Sequence, residues 1–357
     1  ADEEMLRQLL ADASQSAPPH RFSSRFLWLE WSEVVDAWQL ESWEAYRTVA
    51  RLGRKTRLGE PQRRLLWDIF ERVCRALDDR RLVTPAAVFT LATKHFTGGA
   101  SHPYDFILVD EAQDLSVPQL RFLAALASPG PNALFFAGDL GQRIFQPPFS
   151  WKSLGVDIRG RSQTLRINYR TSHQIRRKVD RLLPPELADV DGNAESRRGA
   201  TSVFNGPEPS IEIFATESEE KAAVVQWLTE RREQGLPAEE IAVFVRSEAQ
   251  LARAIQAIEA AGIRPNKLDD LLDTHAGHVS VATLHLAKGL EFKAVAIMAC
   301  DDEVIPLQER IDAVGDEADL EDVFETERHL LYVGCTRARD HLLITGVDPP
   351  SEFLEDF

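Results

Sequence analysis

Cysteine is scarce in this sequence, and long apolar runs do not occur. The 357 residues contain only three cysteines, Cys74, Cys300 and Cys335, which lie far apart. An odd number of isolated cysteines forms neither a disulfide framework nor a zinc knuckle, so we expect a reducing, cytoplasmic environment. The sequence contains no stretch of eighteen apolar residues, so we predict no membrane span. Residues 1–4 also lack the basic and apolar regions of a secretory signal peptide.

A basic character is missing as well. The chain has 41 Lys and Arg residues against 57 Asp and Glu, a net charge of −16, which argues against a protein that coats duplex DNA with a basic surface. The charges are nevertheless segregated, since residues 47–81 and 157–181 each carry a net +6 and residues 301–327 carry −11. This distribution is compatible with a basic channel in an acidic body, although solvated helix faces explain either basic run alone.

Hydrophobic periodicity predicts a mostly helical first hundred residues, followed by an α/β section. Helices are predicted over residues 31–47, from Pro61 and from Thr84-Pro85. Further on, short apolar runs alternate with helical segments, which indicates parallel sheets covered on both faces. The predicted strands lie at residues 106–109, 133–137, 211–214, 241–245, 279–283, 294–298 and 342–345. Residues 184–209, rich in Pro, Gly, Asn and Asp, are predicted to form a loop.

Polar clusters follow the first two predicted strands, where ligands of such sheets bind. Asp110 can hold Mg²⁺, which prefers carboxylate oxygens and keeps several waters. Glu111 can orient or deprotonate an attacking water. This pair suits nucleotide hydrolysis, although strands often end in polar residues. At the second strand end, Gln142 in Gly-Asp-Leu-Gly-Gln suits phosphate sensing or water orientation, whereas Gly-Asp alone favours a simple turn.

Two later clusters combine aromatic, imidazole and charged side chains. Tyr169 can stack on a flat base and Arg170 can bind phosphate through its planar fork. The alternative, a structural core tyrosine beside a surface arginine, explains these two residues equally well. Thr283, His285 and Glu291 follow another predicted strand. A lone histidine is usually structural, yet this set is compact enough to indicate a site.

Arg337 follows a helix that is predicted to begin near Glu321 and to end near Cys335. An arginine there can neutralise the charge of a transferring phosphoryl group, or it can simply interact with the helix dipole. Because Arg337 lies at a helix terminus, we expect its side chain to project from the helix end rather than from a packed face.

In this order, the clusters resemble the motifs of the UvrD/Rep-like superfamily 1 DNA helicases over roughly residues 100–346. The matching boxes are Asp-Glu-Ala-Gln-Asp (110–114), Gly-Asp-Leu-Gly-Gln (138–142), Leu-Arg-Ile-Asn-Tyr-Arg (165–170), Val-Ala-Thr-Leu-His-Leu-Ala-Lys-Gly-Leu-Glu-Phe (281–292) and Leu-Tyr-Val-Gly-Cys-Thr-Arg-Ala-Arg (331–339). The resemblance implies an α/β fold of two RecA-like parallel-sheet core units of the P-loop NTPase type, the first incomplete, with a helical insertion. It also implies an ATP-dependent motor on single-stranded DNA that moves 3′ to 5′ and uses ATP and Mg²⁺.

The resemblance implies a nucleotide-binding role for several of the matched residues. Asp110 would be the Mg²⁺ ligand and Glu111 the general base, while Gln142 would face the γ-phosphate. Tyr169 would stack on adenine and Glu291 would contact the ribose, while Arg170 and Arg337 would reach the γ-phosphate.

The resemblance also implies contacts with single-stranded DNA. Thr283 and His285 would lie towards the single-stranded DNA. In this family an aromatic side chain after the Gly-Asp box stacks on a DNA base. Here that segment, residues 144–152, contains two prolines where the family is usually shorter. We favour Trp151 for the stacking role, with Phe149 as the second choice.

Two departures from the family pattern accompany the resemblance. The phosphate-cradling loop Gly-x-x-x-x-Gly-Lys-Ser/Thr is absent from the sequence, and its nearest counterpart, Gly-Arg-Lys-Thr at residues 53–56, lacks the leading glycine and the Gly-Lys pair. We therefore expect a helicase without its first segment, with weak ATP binding and negligible turnover by this chain alone. The missing segment or another protein is the expected partner. The large accessory insertion of the second core also looks deleted, because only residues 264–278 intervene there.

The resemblance implies three domains and leaves two other functions to consider. Residues 1–100 would form a mostly helical accessory subdomain of the first core, residues 101–170 the remainder of that core, and residues 171–357 the second core. A helicase–nuclease would need an acidic cluster followed by Glu-x-Lys, which we do not find outside the boxes. An ATPase-inactive DNA- or protein-binding module is compatible with the missing loop, but the intact pair Asp110-Glu111 and Arg337 argue against it for the parent protein.

Overall fold

A computed structural model divides the chain into two compact units. Unit one comprises Ala1–Ser162 with Ala188–Asn193, and unit two comprises Gln163–Leu187 with Ala194–Phe357. The structure describes residues 1–51, 57–99, 102–130, 132–143, 149–158, 160–188, 191–192, 194–196, 199–269, 271–312, 314 and 317–357. In these ranges no helix combines the length and the hydropathy needed to cross a membrane. The finer division at residues 100 and 170 stays a prediction.

Helices make up most of unit one. They are α1 (Glu3–Gln15), α2 (Ser24–Glu30), α3 (Trp43–Thr48), α4 (Glu60–Asp79), α5 (Pro85–Thr97) and α6 (Val117–Leu126). Pro61 lies in the first turn of α4, and Thr84 caps α5 through its hydroxyl, so both predicted helix starts are confirmed. The buried stripe of α4, which includes Leu66, Phe70 and Val73, packs against α1 and α3.

The single helix predicted over residues 31–47 is wrong. A π-helical segment, Trp31–Asp36, continues from α2, and α3 begins only at Trp43. Gln39 adopts a left-handed backbone with φ 52°, which ends the first helical run. The Ser42 hydroxyl then accepts a hydrogen bond from the Ala45 N–H and starts a new helix. The apolar spacing across residues 31–47 therefore reflects burial on both sides of a break.

Unit one also holds a short parallel sheet. Strands β1 (Ile107–Val109) and β2 (Leu134–Phe136) pair in register, with Leu108 opposite Phe135. Both predicted strands are thus confirmed. Leu108 and Phe135 are 75% and 61% exposed, although parallel strands normally bury both faces.

A six-stranded parallel sheet forms the centre of unit two. Its strand order is β7-β12-β11-β8-β10-β9. The strands are β7 (Ser210–Phe214), β8 (Ile241–Val245), β9 (Arg264–Lys267), β10 (His278–Thr283), β11 (Phe292–Ile297) and β12 (Ala338–Val347). The five strands predicted for this part of the chain are confirmed. The edge strand β9 was not predicted, because it contains Pro265 and has no apolar run.

The remaining elements of unit two are helices and short strands that form small sheets of their own. The helices are α7 (His173–Val179), α8 (Glu217–Glu233), α9 (Leu251–Ala260), α10 (Gln308–Asp312) and α11 (Glu317–Cys335). Three short strands lie in the segment predicted as a loop, β4 (Glu186–Ala188), β5 (Ala194–Ser196) and β6 (Thr201–Ser202), and β6 pairs in parallel with β3 (Ile167–Asn168). The mixture of helices and parallel sheets confirms the predicted α/β class, and it agrees with a RecA-like core.

One buried charge network ties the helices of unit two to its sheet. The Glu220 carboxylate, fully buried on α8, accepts hydrogen bonds from Arg253 Nε at 2.5 Å and from Thr345 Oγ1 at 2.6 Å. Arg253 Nη1 also donates to Asp301 at 2.6 Å. Removing one member of such a network leaves a buried charge unpaired and strongly destabilises the fold.

Candidate functional site

The acidic box of unit one lies at the carboxyl end of β1. Asp110 and Glu111 are both exposed, and Asp110 Oδ1 accepts a hydrogen bond from the Glu111 N–H at 2.9 Å. Glu111 has a left-handed backbone with φ 52° and ψ 39°, which is uncommon for a non-glycine residue. Such strain persists where the surroundings impose it, often at functional sites. The turn directs two neighbouring carboxylates into solvent beyond the strand.

Gln113 joins the acidic box to the Gly-Asp box, and sequence reasoning missed it. Its side chain is 6% exposed. Gln113 Nε2 donates to Glu111 Oε2 at 2.5 Å, and Gln113 Oε1 accepts from the Asp139 N–H at 3.0 Å. A Cβ atom at Gly138 would come within 2.5 Å of Gln113 Oε1, so a glycine is needed there. The Gln113 amide therefore links the two boxes, in addition to the backbone hydrogen bond from the Ala112 N–H to the Ala137 carbonyl at 2.9 Å.

The Gly-Asp box fixes the position of Gln142. Asp139 Oδ1 accepts from the Gly141 N–H at 2.8 Å, and Asp139 Oδ2 accepts from Gln142 Nε2 at 3.0 Å. One Asp139 carboxylate thus closes a tight turn and also holds the half-buried Gln142 side chain in place. The turn interpretation of this box is correct, and it is compatible with the phosphate-sensing one.

The donor atoms at this end of the sheet suit a magnesium–nucleotide complex. Asp110 offers oxygen, the donor that Mg²⁺ prefers. In the part of the chain that the structure describes, no group of three or more His, Cys, Asp or Glu side chains is arranged to enclose a metal ion. Mg²⁺ commonly binds through one or two carboxylates, waters and substrate phosphates. A site built on Asp110 therefore fits Mg²⁺ that arrives with a nucleotide.

In unit two the structure brings Arg170 and Glu291 together as an ion pair. Both side chains are about half exposed, at 44% and 54%. Asn168 Oδ1 accepts from the N–H groups of Arg170 and Thr171 at 2.8 and 3.0 Å and shapes the turn after β3. The Tyr169 side chain next to them is 71% exposed, so its ring is available for stacking.

Arg337 is buried, and the expectation that it projects from the helix end is wrong. It is 1% exposed and ranks among the largest fully buried side chains. Its Nε donates to the Val333 carbonyl at 2.9 Å, while its two Nη atoms approach the Leu290 carbonyl and the Thr336 hydroxyl at 3.4 and 3.3 Å. The last carbonyls of a helix have no partner within it. Arg337 folds back onto one of them, and α11 ends at Cys335 as expected.

The two residues predicted to lie towards DNA, Thr283 and His285, are less exposed than a residue that contacts DNA on an open surface. Thr283 is 9% exposed. His285 is half-buried, and burial lowers its pKa to about 4, with the positive charge of Arg246 acting in the same direction. Arg246 forms two hydrogen bonds with Glu327, at 2.5 and 2.6 Å. At neutral pH His285 is therefore uncharged and can bind a phosphate only through a hydrogen bond.

The predicted DNA-stacking aromatics form one cluster in unit one. The ring centroid of Trp151 lies 5.0 Å from that of Phe136 and 5.5 Å from that of Phe149. Phe149 and Trp151 are both half-buried. Residues 144–148 of this segment, like the 53–56 string, lie outside the described residues. The structure therefore leaves both aromatic residues as candidates. The Trp151 ring also packs edge-on against Phe136.

Comparisons with known proteins extend the motif resemblance to the first hundred residues and thus to most of the chain. The UvrD/REP helicase N-terminal domain family matches residues 2–151, and the UvrD-like helicase C-terminal domain family matches residues 255–348. A probable DNA helicase of Mycoplasma pneumoniae is 27% identical over 271 residues, which cover 70% of this chain and 46% of that protein. The ATP-dependent DNA helicase PcrA of Leuconostoc citreum is 42% identical over 79 residues, covering 22% and 10%.

A solved structure, the C-terminal domain of a possible DNA helicase from Lactobacillus plantarum, aligns with a TM-score of 0.37 and 23% identity over 52% of this chain and 92% of that domain. The chain spans less than half the length of either relative named above. The two family models match successive parts that together make up well over half of the chain, and so the chain belongs to the UvrD/Rep-like superfamily 1 helicases.

Proposed function

We propose that this chain works as part of an ATP-dependent DNA helicase or translocase that acts on single-stranded DNA in the 3′ to 5′ direction. The observation that carries the proposal is the joined pair of boxes in unit one. Two exposed carboxylates and a positioned glutamine end neighbouring parallel strands, and Gln113 holds them together. The relatives named as DNA helicases support DNA as the substrate.

The chain's own residues have distinct parts in this proposal. Asp110 holds Mg²⁺, which when bound polarises the phosphoryl oxygens. Glu111 accepts a proton from the attacking water, and the left-handed turn keeps its carboxylate exposed for that task. Gln142, held by Asp139, faces the γ-phosphate.

Unit two supplies the remaining nucleotide contacts. The open face of Tyr169 stacks on adenine, and Glu291 binds the ribose. Arg170 and Arg337 bind the γ-phosphate, which requires Arg170 to leave Glu291 and Arg337 to leave its carbonyl partners. Thr283 and His285 contact DNA.

A second candidate function is an ATPase-inactive DNA- or protein-binding module derived from such a helicase. The burial of Arg337 favours it, because a guanidinium engaged with backbone carbonyls does not contact a phosphate. An assay of DNA-stimulated ATP turnover, with the protein supplied with a phosphate-binding loop, distinguishes the two candidates. The helicase turns over ATP in this assay, and the ATPase-inactive module does not.

Gln113→Glu is expected to move the acid limb of the pH–rate profile for ATP turnover upward by about one pH unit or more. The substitution sets a second carboxylate 2.5 Å from that of Glu111, and two carboxylates that share a site disfavour each other's ionisation. The control is Gln119→Glu, because Gln119 caps α6 nearby without touching Glu111. An unshifted profile would show that Gln113 does not act on the general base.

Trp151→Ala is expected to weaken binding of single-stranded DNA by ~1–3 kcal/mol, the usual value of one base–aromatic stack. Phe149→Ala should weaken it less, because Phe136 supports the Trp151 ring. Fluorescence anisotropy of a labelled oligothymidine gives both affinities. The opposite ranking would transfer the stacking role to Phe149, and no change in either variant would reject stacking here.

A further inference from the structure

Trp151 lies in a short turn whose backbone is closed by side-chain hydrogen bonds. We call residues 149–154 the aromatic turn. The Ser150 hydroxyl accepts from the Ser153 N–H at 3.0 Å, and the Ser153 hydroxyl donates to the Ser150 carbonyl at 2.8 Å. The Trp151 carbonyl accepts from the Leu154 N–H at 3.0 Å. These contacts are local, so they fix the shape of the turn but do not anchor it to the rest of unit one.

Asp191 supplies an anchor from about forty residues further along the chain. Its Oδ1 accepts from the Ser150 hydroxyl at 2.5 Å, and its Oδ2 accepts from the Lys152 N–H at 3.0 Å. The two hydrogen bonds bracket Trp151 on both sides. Asp191 belongs to Ala188–Asn193, the short stretch that groups with unit one although the chain around it belongs to unit two.

The charge of Asp191 is unfavourable for a residue beside bound DNA. A carboxylate near a phosphate backbone weakens binding electrostatically. If Asp191 affected DNA only through its charge, its removal would strengthen binding. A favourable contribution must therefore come from its hydrogen bonds, which hold the turn and the Trp151 side chain in place before DNA arrives.

We propose that Asp191 is a positioning residue for single-stranded DNA, which bonds Ser150 and Lys152 so that Trp151 is preorganised to stack on a base. The inference rests on the proposed function, since it takes Trp151 as the stacking residue. It adds a role for the segment of residues 188–193, which the sequence suggests is only a connecting loop.

The test measures binding of a labelled oligothymidine to this chain and its variants by fluorescence anisotropy at one fixed salt concentration. Asp191→Ala should weaken binding by about 3- to 10-fold, the range expected from losing the order of one side chain and its turn. Ser150→Ala keeps every charge and removes one anchoring bond, together with the bond from the Ser153 N–H within the turn, and should weaken binding by about 2- to 5-fold. Asp191→Asn should keep binding within about twofold of the unmodified chain or make it tighter, because the amide oxygen can accept from the Lys152 N–H and the amide NH2 can donate to the Ser150 hydroxyl, without the charge.

A double-mutant cycle links the effect to stacking. In a Trp151→Ala background, Asp191→Ala should have no further effect on affinity. The inference is overturned if Trp151→Ala weakens binding while Asp191→Ala and Ser150→Ala do not, or if Asp191→Ala and Asp191→Asn both tighten it. It is also overturned if Asp191→Ala weakens binding equally with and without Trp151. No effect of Trp151→Ala, or no binding by the unmodified chain, instead contradicts the proposed function and removes the basis of the inference with it.

Discussion

Replacing Arg337 with alanine is expected to lower DNA-stimulated ATP turnover at least a hundredfold in the protein supplied with a phosphate-binding loop. An arginine that stabilises the transition state contributes ~10³–10⁵ in turnover, or roughly 4–7 kcal/mol at 1.36 kcal/mol per tenfold. Because Arg337 is buried and makes three hydrogen bonds, the free energy of unfolding should also fall, by about 2–5 kcal/mol. Arg337→Lys should not rescue turnover, since lysine lacks the planar fork.

A control variant separates catalysis from loss of stability. Arg253 is a second buried arginine of unit two, paired with Glu220 and Asp301, and Arg253→Ala should cost a comparable free energy of unfolding. Turnover is compared per folded molecule, at a temperature where both variants are folded. If turnover falls no further in Arg337→Ala than in Arg253→Ala, Arg337 is a structural arginine and its catalytic assignment fails.

Glu111→Gln is expected to reduce the same turnover by about 10²–10⁴-fold, the contribution of a positioned general base. The substitution preserves the shape of an exposed side chain, so the free energy of unfolding should change by no more than about 0.5 kcal/mol. Glu60→Gln, at an exposed position in the first turn of α4, is the control and should leave turnover within about twofold. A Glu111→Gln variant that turns over ATP normally would show that another group accepts the proton.

The strands were the most predictable part of the fold. Strands β8 and β11 are almost entirely buried in the parallel sheet, so each is a nearly continuous apolar run in the sequence. The edge strand β9 is exposed at its ends and contains Pro265, and it carries no such signal. The helix break near Gln39 was also hidden, because the residues on both sides of it are buried.

The site residues were predictable by type but not by their contacts. Asp110, Glu111 and Gln142 follow strand ends, and that position can be inferred from the sequence alone. The burial of Arg337 depends on a carbonyl at Leu290, 47 residues away along the chain. The bridge made by Gln113 depends on Asp139, 26 residues away. Local patterns contain no information on such distant partners, although the glycine at 138 is a sign of close packing.

The measurement that tests the account most directly is ATP turnover by this chain, with and without single-stranded DNA, before and after a Gly-x-x-x-x-Gly-Lys-Ser/Thr segment is supplied. Because the sequence contains no such loop, the chain alone should show no DNA-stimulated turnover above background. The protein to which the segment has been supplied should turn over ATP, and Glu111→Gln should abolish that activity. Robust turnover by the chain alone, lost on Glu111→Gln, would contradict the account and would mean that this chain contains another phosphate cradle.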